Sequence, residues 1–418
     1  MISYPQALRT IVDAIRPLAP QTGTVLEPGH GASAATVTSA LDVPDFDNSA
    51  MDGFAVLAED TAHATPTDPV VLPVTGTVAA GDPPGARAVA GQAIEIMTGA
   101  PMPTGCDAVI PVEKVSVRRT DDGRPETISI HTPAGPGMNL RRAGEDFRRG
   151  ESLLDSPRIL DPHVLMALAA GGIDELPVRR RAGVAVISTG AELAASGKPS
   201  GTGKIRDVNR PYLKAAVPRF NGRLLHDATV TDRLDDIVQA LSAVPADCQL
   251  IVTTGGVSAG RYDAVPEAVR QLGGTILFHK VAIRPGKPVL FASLPNDRWL
   301  FGLPGNPIAV AVGLRFFVAP ALRRFQNLGA EQTIPAITST EIRKRPDLRF
   351  FGKAVATAGT DARITVSLLP GQESFRTRPL LDANCWAIVP EGDDHVGPGQ
   401  HITIAPLYPD GLLQPPGL

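Results

Sequence analysis

The sequence predicts a multidomain α/β plus all-β protein with a doubly wound α/β domain at its centre. Three observations carry that expectation. Between residues 182 and 325, short apolar runs alternate with helical segments, the pattern of a parallel sheet covered by helices on both faces. Residues 70–118, and the chain beyond Phe325, hold short β-type runs punctuated by Gly and Pro. The length of 418 residues, at roughly 150 per domain, implies two to four domains.

The elements follow in order. Leu8, Ile11, Val12, Ile15 and Leu18 recur at helical spacing, and Pro20 and Gly23 lie just beyond that first helix. Asp42 to Gly53 is an acidic, turn-rich loop. Val70–Val74, Ala93–Ile96 and Asp107–Ile110 read as strands, with a hairpin tip at Arg118–Glu126. Helical spacing returns from Gly144 to Gly172, with Pro162 near a helix start and Gly171-Gly172 at its end. Strands are then expected at Gly183–Ile187, Leu224-Leu225, Leu250–Val252, Ile276–Phe278 and Trp299–Phe301. Helices are expected around 208–220, 234–243, 264–272 and 307–325, the last with Asn306 as N-cap and Pro307 at its first position. Ile364–Val366 and His401–Ile404 alternate like strands of an all-β tail. The resulting division is a helical/linker domain (1–43 and 140–176), a small β domain (44–139), an α/β domain (177–327) and a C-terminal β domain (328–418).

Composition narrows the function. Forty Lys and Arg against forty-three Asp and Glu leave a net charge of −3, no basic field for nucleic acid or an anionic membrane. No run approaches the roughly 20 apolar residues of a membrane span, and the opening residues lack a secretory pattern. Cys106, Cys248 and Cys385 stand far apart, without zinc or disulfide spacing, which fits a reduced, cytoplasmic protein.

Ligands of open α/β sheets sit beyond the carboxyl ends of the strands. Four turns there are rich in Gly and hydroxyl residues: Ser188–Glu192, Thr253–Gly260, Arg284–Pro288 and Gly302–Asn306. Gly lets the backbone approach a ligand, and exposed N–H groups favour an anion. The 253–260 loop leads into a helix that Asp263 is expected to cap. Neither a Walker loop nor a dinucleotide fingerprint is present, since the Gly-Lys-Ser/Thr ending and the third Gly are missing. Lys280, Arg284 and Lys287 cluster as phosphate or oxyanion donors. Glu192, Asp207, Asp232 and Asp263 occupy neighbouring turns, and carboxylates beside a phosphate site imply a divalent cation. Tight turns, helix caps at Asp263 and Asn209, and a solvated basic edge are the bland readings of the same residues. Asp42, Asp45, Asp47 and Asp52 put four carboxylates in eleven residues. Asx-turns account for Asp45 and Asn48, but less well for Asp52 before Gly53.

Taken together, Asp47–Gly53, Thr98-Gly99-Ala100, Gly144-Glu145-Asp146, Ser188-Thr189-Gly190, Gly255–Ser258, Pro285–Pro288 and Leu303–Pro307 resemble the molybdopterin molybdenumtransferase family, the MoeA proteins and the C-terminal region of gephyrin. The resemblance implies an elongated homodimer of four domains, the third shared with molybdopterin adenylyltransferases. It implies an enzyme of molybdenum cofactor biosynthesis that inserts molybdenum from molybdate into adenylylated molybdopterin, releasing AMP with help from Mg²⁺. The site would be shared between subunits, and a molybdopterin adenylyltransferase is the implied partner.

Positions carried over by motif are Asp52, Thr98, Asp146, Glu192, Asp232, Asp263, Lys280, Arg284 and Lys287. Asp52, Asp146, Glu192, Asp263, Lys280 and Lys287 are expected to be catalytic, with Glu192 and Asp263 as the magnesium ligands. Thr98, Thr189, Gly255, Gly256, Ser258, Gly260, Asp232, Arg284, Pro304, Gly305 and Asn306 are expected to bind substrate. The sequence departs from the family pattern in three places: Ala191 where Asp is common, Arg284 where Lys is frequent, and Ser374-Phe375-Arg376 where Ser-Gly is usual. An adenylyltransferase of the same fold is a rival, opposed by the extra β domains and the 45–54 loop. A non-catalytic cofactor carrier is another, opposed by the intact acidic set.

Overall fold

A computed structural model describes residues 1–27, 29, 31–194, 202–257, 264–409 and 411. Two compact units emerge. One comprises Met1–Gln21, Gly29–Ala34 and Pro177–Leu418, the other Thr22–Pro28 and Ala35–Leu176.

The first helix, α1 (Tyr4–Ala14), opens on a capping box: Ser3 Oγ accepts from the Gln6 N–H while Gln6 Oε1 accepts from the Ser3 N–H. It is shorter than the apolar spacing predicts. Ile15 already has extended backbone, Leu18 lies beyond the helix, and Val12 faces outward.

The second unit is built on a six-stranded sheet of β1 (Gly53–Val56), β2 (Val70–Val78), β3 (Ala93–Ile96), β4 (Ala108–Pro111), β5 (Val115–Arg119) and β6 (Pro125–Ile130), in the order β4-β1-β3-β2-β6-β5. Phe54, Val56, Leu72, Ile110, Ile128 and Ile130 fill one of its cores. The 118–126 hairpin is present, with Arg119 opposite Pro125. Of the helical spacing from 144 to 172, only α2 (Pro162–Ala170) is helix, because Asp161 Oδ1 caps it by accepting the Val164 N–H and Ser152–Leu154 is extended.

In the first unit lies the α/β domain: β7 (Gly183–Thr189), α3 (Asn209–Arg219), β8 (Arg223–Val230), α4 (Leu234–Ser242), β9 (Cys248–Thr254), α5 (Val265–Gln271), β10 (Thr275–His279), β11 (Leu290–Leu294), β12 (Arg298–Leu303), α6 (Pro307–Gly313) and α7 (Ala319–Phe325). Period-two alternation makes it doubly wound. Val184, Val186, Leu250 and Val252 face α3, α6 and α7, while Ala185, Ile187 and Ile251 face α4 and α5. The sheet order is β8-β7-β9-β12-β11-β10. A wholly parallel sheet is not what forms. β8, β7, β9 and β12 are parallel, but β11 runs antiparallel to β12, and β10 to β11. The short connection Leu294–Arg298 allows only a hairpin, whereas a parallel crossover needs a dozen residues or more.

Beyond residue 333 the strands Ile334–Thr338, Arg349–Ala358, Ile364–Leu368, Cys385–Val389 and His401–Pro406 close on themselves, since 349–358 pairs with both 364–368 and 385–389. Closure leaves these five strands as a small barrel. Its Phe351 and Trp386 join Tyr4, Ile11, Phe316 and Phe317 in one continuous core, with the Phe316 and Phe351 rings stacked at 4.0 Å.

Candidate active site

In the second unit, three of the singled-out segments converge. Asp52 sits immediately before β1, and its Oδ1 accepts both the Thr98 N–H at 2.6 Å and the Thr98 Oγ1 hydroxyl at 2.7 Å. These two donors hold the exposed Asp52 carboxyl below the usual carboxylate range. The Gly99 N–H donates to the Ser49 carbonyl oxygen at 2.8 Å, fixing the 98–100 turn on the acidic loop. Asp47 ties in the third segment: its carboxylate meets Arg142 Nη1 at 2.9 Å and accepts the Ala143 N–H at 2.8 Å. Asp146 follows, exposed, its N–H donating to the Val43 carbonyl at 2.9 Å. Asn48-Ser49, expected in a turn, is a buried two-residue strand paired with Leu140-Arg141.

In the first unit, strand register brings the predicted loops to one sheet edge. β7, β9 and β12 end there in parallel, which places Thr189, Gly255-Gly256 and Pro304-Gly305-Asn306 side by side. Because β11 is antiparallel to β12, with Leu290 opposite Gly302, the 280–289 loop reaches the same edge. His279 opposite Leu290 adds the end of β10, and hence Lys280. The two antiparallel strands thus deliver the basic cluster that a parallel crossover would have sent elsewhere.

Arg284 departs from expectation in one respect. Ile283-Arg284 extends no strand of this sheet; it pairs with Arg349-Phe350 of the barrel. Arg284 and Lys287 are exposed and Lys280 half-buried, the last with a φ of 74°, uncommon for a non-Gly residue. Asp232 lies half-buried just past β8, also at this edge. Glu192 is exposed, its carboxylate folded back over Gly190.

Gly255 is required here. Its φ is +90°, and a Cβ would stand 2.4 Å from the Thr189 carbonyl oxygen and 2.9 Å from Thr189 Oγ1. Thr189 Oγ1 in turn donates to the Thr254 carbonyl, and the Gly255 N–H donates to the Leu303 carbonyl at 2.9 Å. The loops are therefore one bonded layer.

Ser258, Gly260 and Asp263 lie outside the described residues. The expected Asp263 cap of α5 falls on those residues; the described part of the turn is Ala264, in helical conformation before Val265. Asn209 is not the cap of α3, of which it is the first helical residue. Asp207 Oδ1 accepts the Asn209 and Arg210 N–H groups at 3.2 and 3.1 Å, leaving the Asn209 side chain to reach Gly305. That contact was hidden in the sequence, because Asp-Val-Asn reads as a capping turn whichever polar residue caps.

Among the described residues, no group of three His, Cys, Asp or Glu side chains comes together. Magnesium needs fewer, since it is held by one or two carboxylates plus waters and phosphate oxygens, and exposed Glu192 is a donor of that type. A cavity of about 510 Å³ lies elsewhere, lined by Tyr4, Arg315, Phe316, Glu331, Arg349 and Phe351 among others, with none of the motif residues.

Comparison with known proteins decides the relationship. Models of the MoeA N-terminal region (domain I and II), a probable molybdopterin binding domain and the MoeA C-terminal region (domain IV) match residues 2–172, 185–324 and 335–407. The chain belongs to the MoeA family of molybdopterin molybdenumtransferases. The molybdopterin molybdenumtransferase of Synechococcus elongatus is 36% identical over 97% of this chain and 100% of its own length. Molybdopterin molybdenumtransferase 2 of Mycobacterium tuberculosis is 38% identical over 97% of this chain and 99% of its own. A crystal structure of the molybdopterin biosynthesis MoeA protein from Pyrococcus horikoshii superposes with a TM-score of 0.76 at 28% identity, covering 97% and 99% of the two chains. Asp52, Thr98 and Asp146 fall within the MoeA N-terminal match, and the sheet-edge loops within the molybdopterin binding match.

Proposed function

We propose that the protein transfers molybdenum from molybdate onto adenylylated molybdopterin, with hydrolysis of the adenylate and release of AMP. As a MoeA-family molybdenumtransferase it acts in molybdenum cofactor biosynthesis; the adenylate, the cation and the residue roles are our reading. The observation that carries it is the sheet edge, where the Gly-lined turns form one bonded layer and strand register brings the 280–289 loop, which bears Lys280, Arg284 and Lys287, to the same end of the sheet.

Hydrolysis joins a water oxygen to phosphorus and breaks the bond to the leaving phosphate, so charge builds on phosphate oxygens. Lys280 and Lys287 compensate that charge, and the backbone of Gly255, Gly256, Ser258 and Gly260 lets phosphate approach closely. Arg284 clasps an oxyanion through two N–H groups. Thr189, Asp232, Pro304, Gly305 and Asn306 shape the pocket for the rest of the substrate. When bound, Mg²⁺ supplies charge neutralisation on phosphate oxygens, held by Glu192 and Asp263. Asp52, oriented by Thr98, and Asp146 are the catalytic carboxylates of the second unit.

The same reading includes a homodimer with the site shared between subunits, a molybdopterin adenylyltransferase that supplies the adenylate, and the four-domain division set out above. A cytoplasmic location agrees with Cys248 and Cys385 being buried and Cys106 half-buried, all as thiols that burial pushes up, Cys106 to about 11. No helix among the described residues is long and apolar enough to cross a membrane.

The test is AMP release from adenylylated molybdopterin by the purified protein with magnesium, with and without molybdate. Molybdate-dependent release is expected. An intact adenylate that stays bound would replace catalysis by the carrier reading.

A further inference from the structure

Asn209 opens α3 and is only 8% exposed. Its Nδ2 donates to the Gly305 carbonyl oxygen at 2.7 Å. That bond fixes which way the amide points, because a carbonyl oxygen can only accept. Oδ1 is turned off Gly305 and buried, and among the described residues no hydrogen-bond donor reaches it. The turn that carries it cannot swing to find one. Asp207 Oδ1 accepts the Asn209 and Arg210 N–H groups, and Asp207 Oδ2 accepts the Thr229 hydroxyl at 3.2 Å.

Holding Gly305 needs only a donor. An unpaired buried acceptor beside it is a standing penalty, of the kind found where a ligand completes the bond. Gly305 belongs to the loop that lies against Gly255, the Cα of which is 3.8 Å from where a Gly305 Cβ would sit. Asn209 therefore stands at the sheet edge read above as the substrate site.

We propose that Asn209 contacts substrate directly, its Oδ1 accepting a hydrogen bond from an N–H or O–H group of adenylylated molybdopterin. This rests on the sheet edge being the substrate site. The partner is not a phosphate or molybdate oxygen, since those are acceptors and would face another lone pair. The available donors are the amino and ring N–H groups of the pterin, and the amino and hydroxyl groups of the adenosine.

The experiment titrates the full-length protein and its Asn209→Ala variant with molybdopterin alone and with AMP alone, alongside thermal unfolding. The variant is expected to bind one of the two about tenfold more weakly and the other within twofold, the loss falling on whichever half donates. Unchanged affinity for both would overturn the proposal. So would equal weakening of both, which a purely structural role in holding the Gly305 loop produces. If Asn209→Ala does not fold, Asn209→Ser, with a hydroxyl too short to reach both sides, carries the same comparison. Wild-type protein that bound neither ligand would refute the substrate-site reading itself, whereas normal wild-type binding with an indifferent variant refutes only the role of Asn209.

Discussion

Replacing Gly255 by Ala tests whether the sheet-edge layer is as tightly determined as it looks. The residue sits at φ +90°, where an L side chain costs roughly 1–2 kcal/mol. The added Cβ would also lie 2.4 Å from the Thr189 carbonyl oxygen. Thr189 cannot withdraw, because it is 4% exposed and ends a strand whose register is locked to Val230 on one side and, through Ser188, to Thr254 on the other. Relieving such an overlap costs about 1–3 kcal/mol more. A total of about 3 kcal/mol corresponds to a fall in Tm of roughly 6–12 °C for a unit of this size. Gly305→Ala is the internal control. It stands in the same layer, but its nearest neighbour would be 3.8 Å away and its φ is not positive, so its cost should stay below about 0.5 kcal/mol. Thermal unfolding followed by circular dichroism, with pterin binding measured in parallel, separates the two. A Gly255→Ala variant as stable as the parent, or a Gly305→Ala variant equally damaged, would refute the geometry.

Three further outcomes are expected. Thr98→Val removes one of the two donors to Asp52, so the Asp52 pKa should rise and the acid limb of the pH–rate profile should move to higher pH. The sign follows from the lowered folded-state pKa: the ionised form is favoured down through the ordinary carboxylate range and is lost only as pH falls through the lowered value. An unmoved limb would remove Asp52 from the rate-determining chemistry. Asp146→Asn and Glu192→Gln should each cut AMP release by about a hundredfold or more while leaving Tm within about 1 °C, since both side chains are exposed. Turnover near wild type would dismiss either residue. Lys353→Met should cost about 2 kcal/mol in urea unfolding, because the fully buried ammonium donates to the Glu373 and Arg376 carbonyls at 3.2 Å each; no loss would mean that those bonds do not hold the loop.

Much of this was legible in the sequence, for identifiable reasons. Val184–Ile187 and Leu250–Val252 are continuous apolar runs because their strands are covered on both faces, and such runs are hard to mistake. Asp52 and Thr98 could be named, but not joined, since a contact across 46 residues leaves no local periodicity. β11 went unread because Leu290–Leu294 follows a Pro-rich turn without a separating polar stretch. The departure at Ser374 also takes its meaning only in three dimensions. Its carbonyl accepts the Ile308 N–H at 3.0 Å, so the first turn of α6 is closed by the barrel's own loop. The role of Asn209 was invisible because capping and bridging residues share one vocabulary of Asp, Asn and Ser.

The burial of α1 sets the timetable of the protein's birth. Tyr4 packs edge-on against Phe316, Phe317 and Phe351, and the backbone of Ile2 pairs beside Val281. Those partners leave the ribosome more than 270 residues later. At about 5–20 residues per second, the helix waits roughly 15–70 s with its apolar stripe uncovered. A nascent chain halted before Phe351 should therefore still display that stripe to chaperones, and should release them only after the barrel's first long strand has emerged.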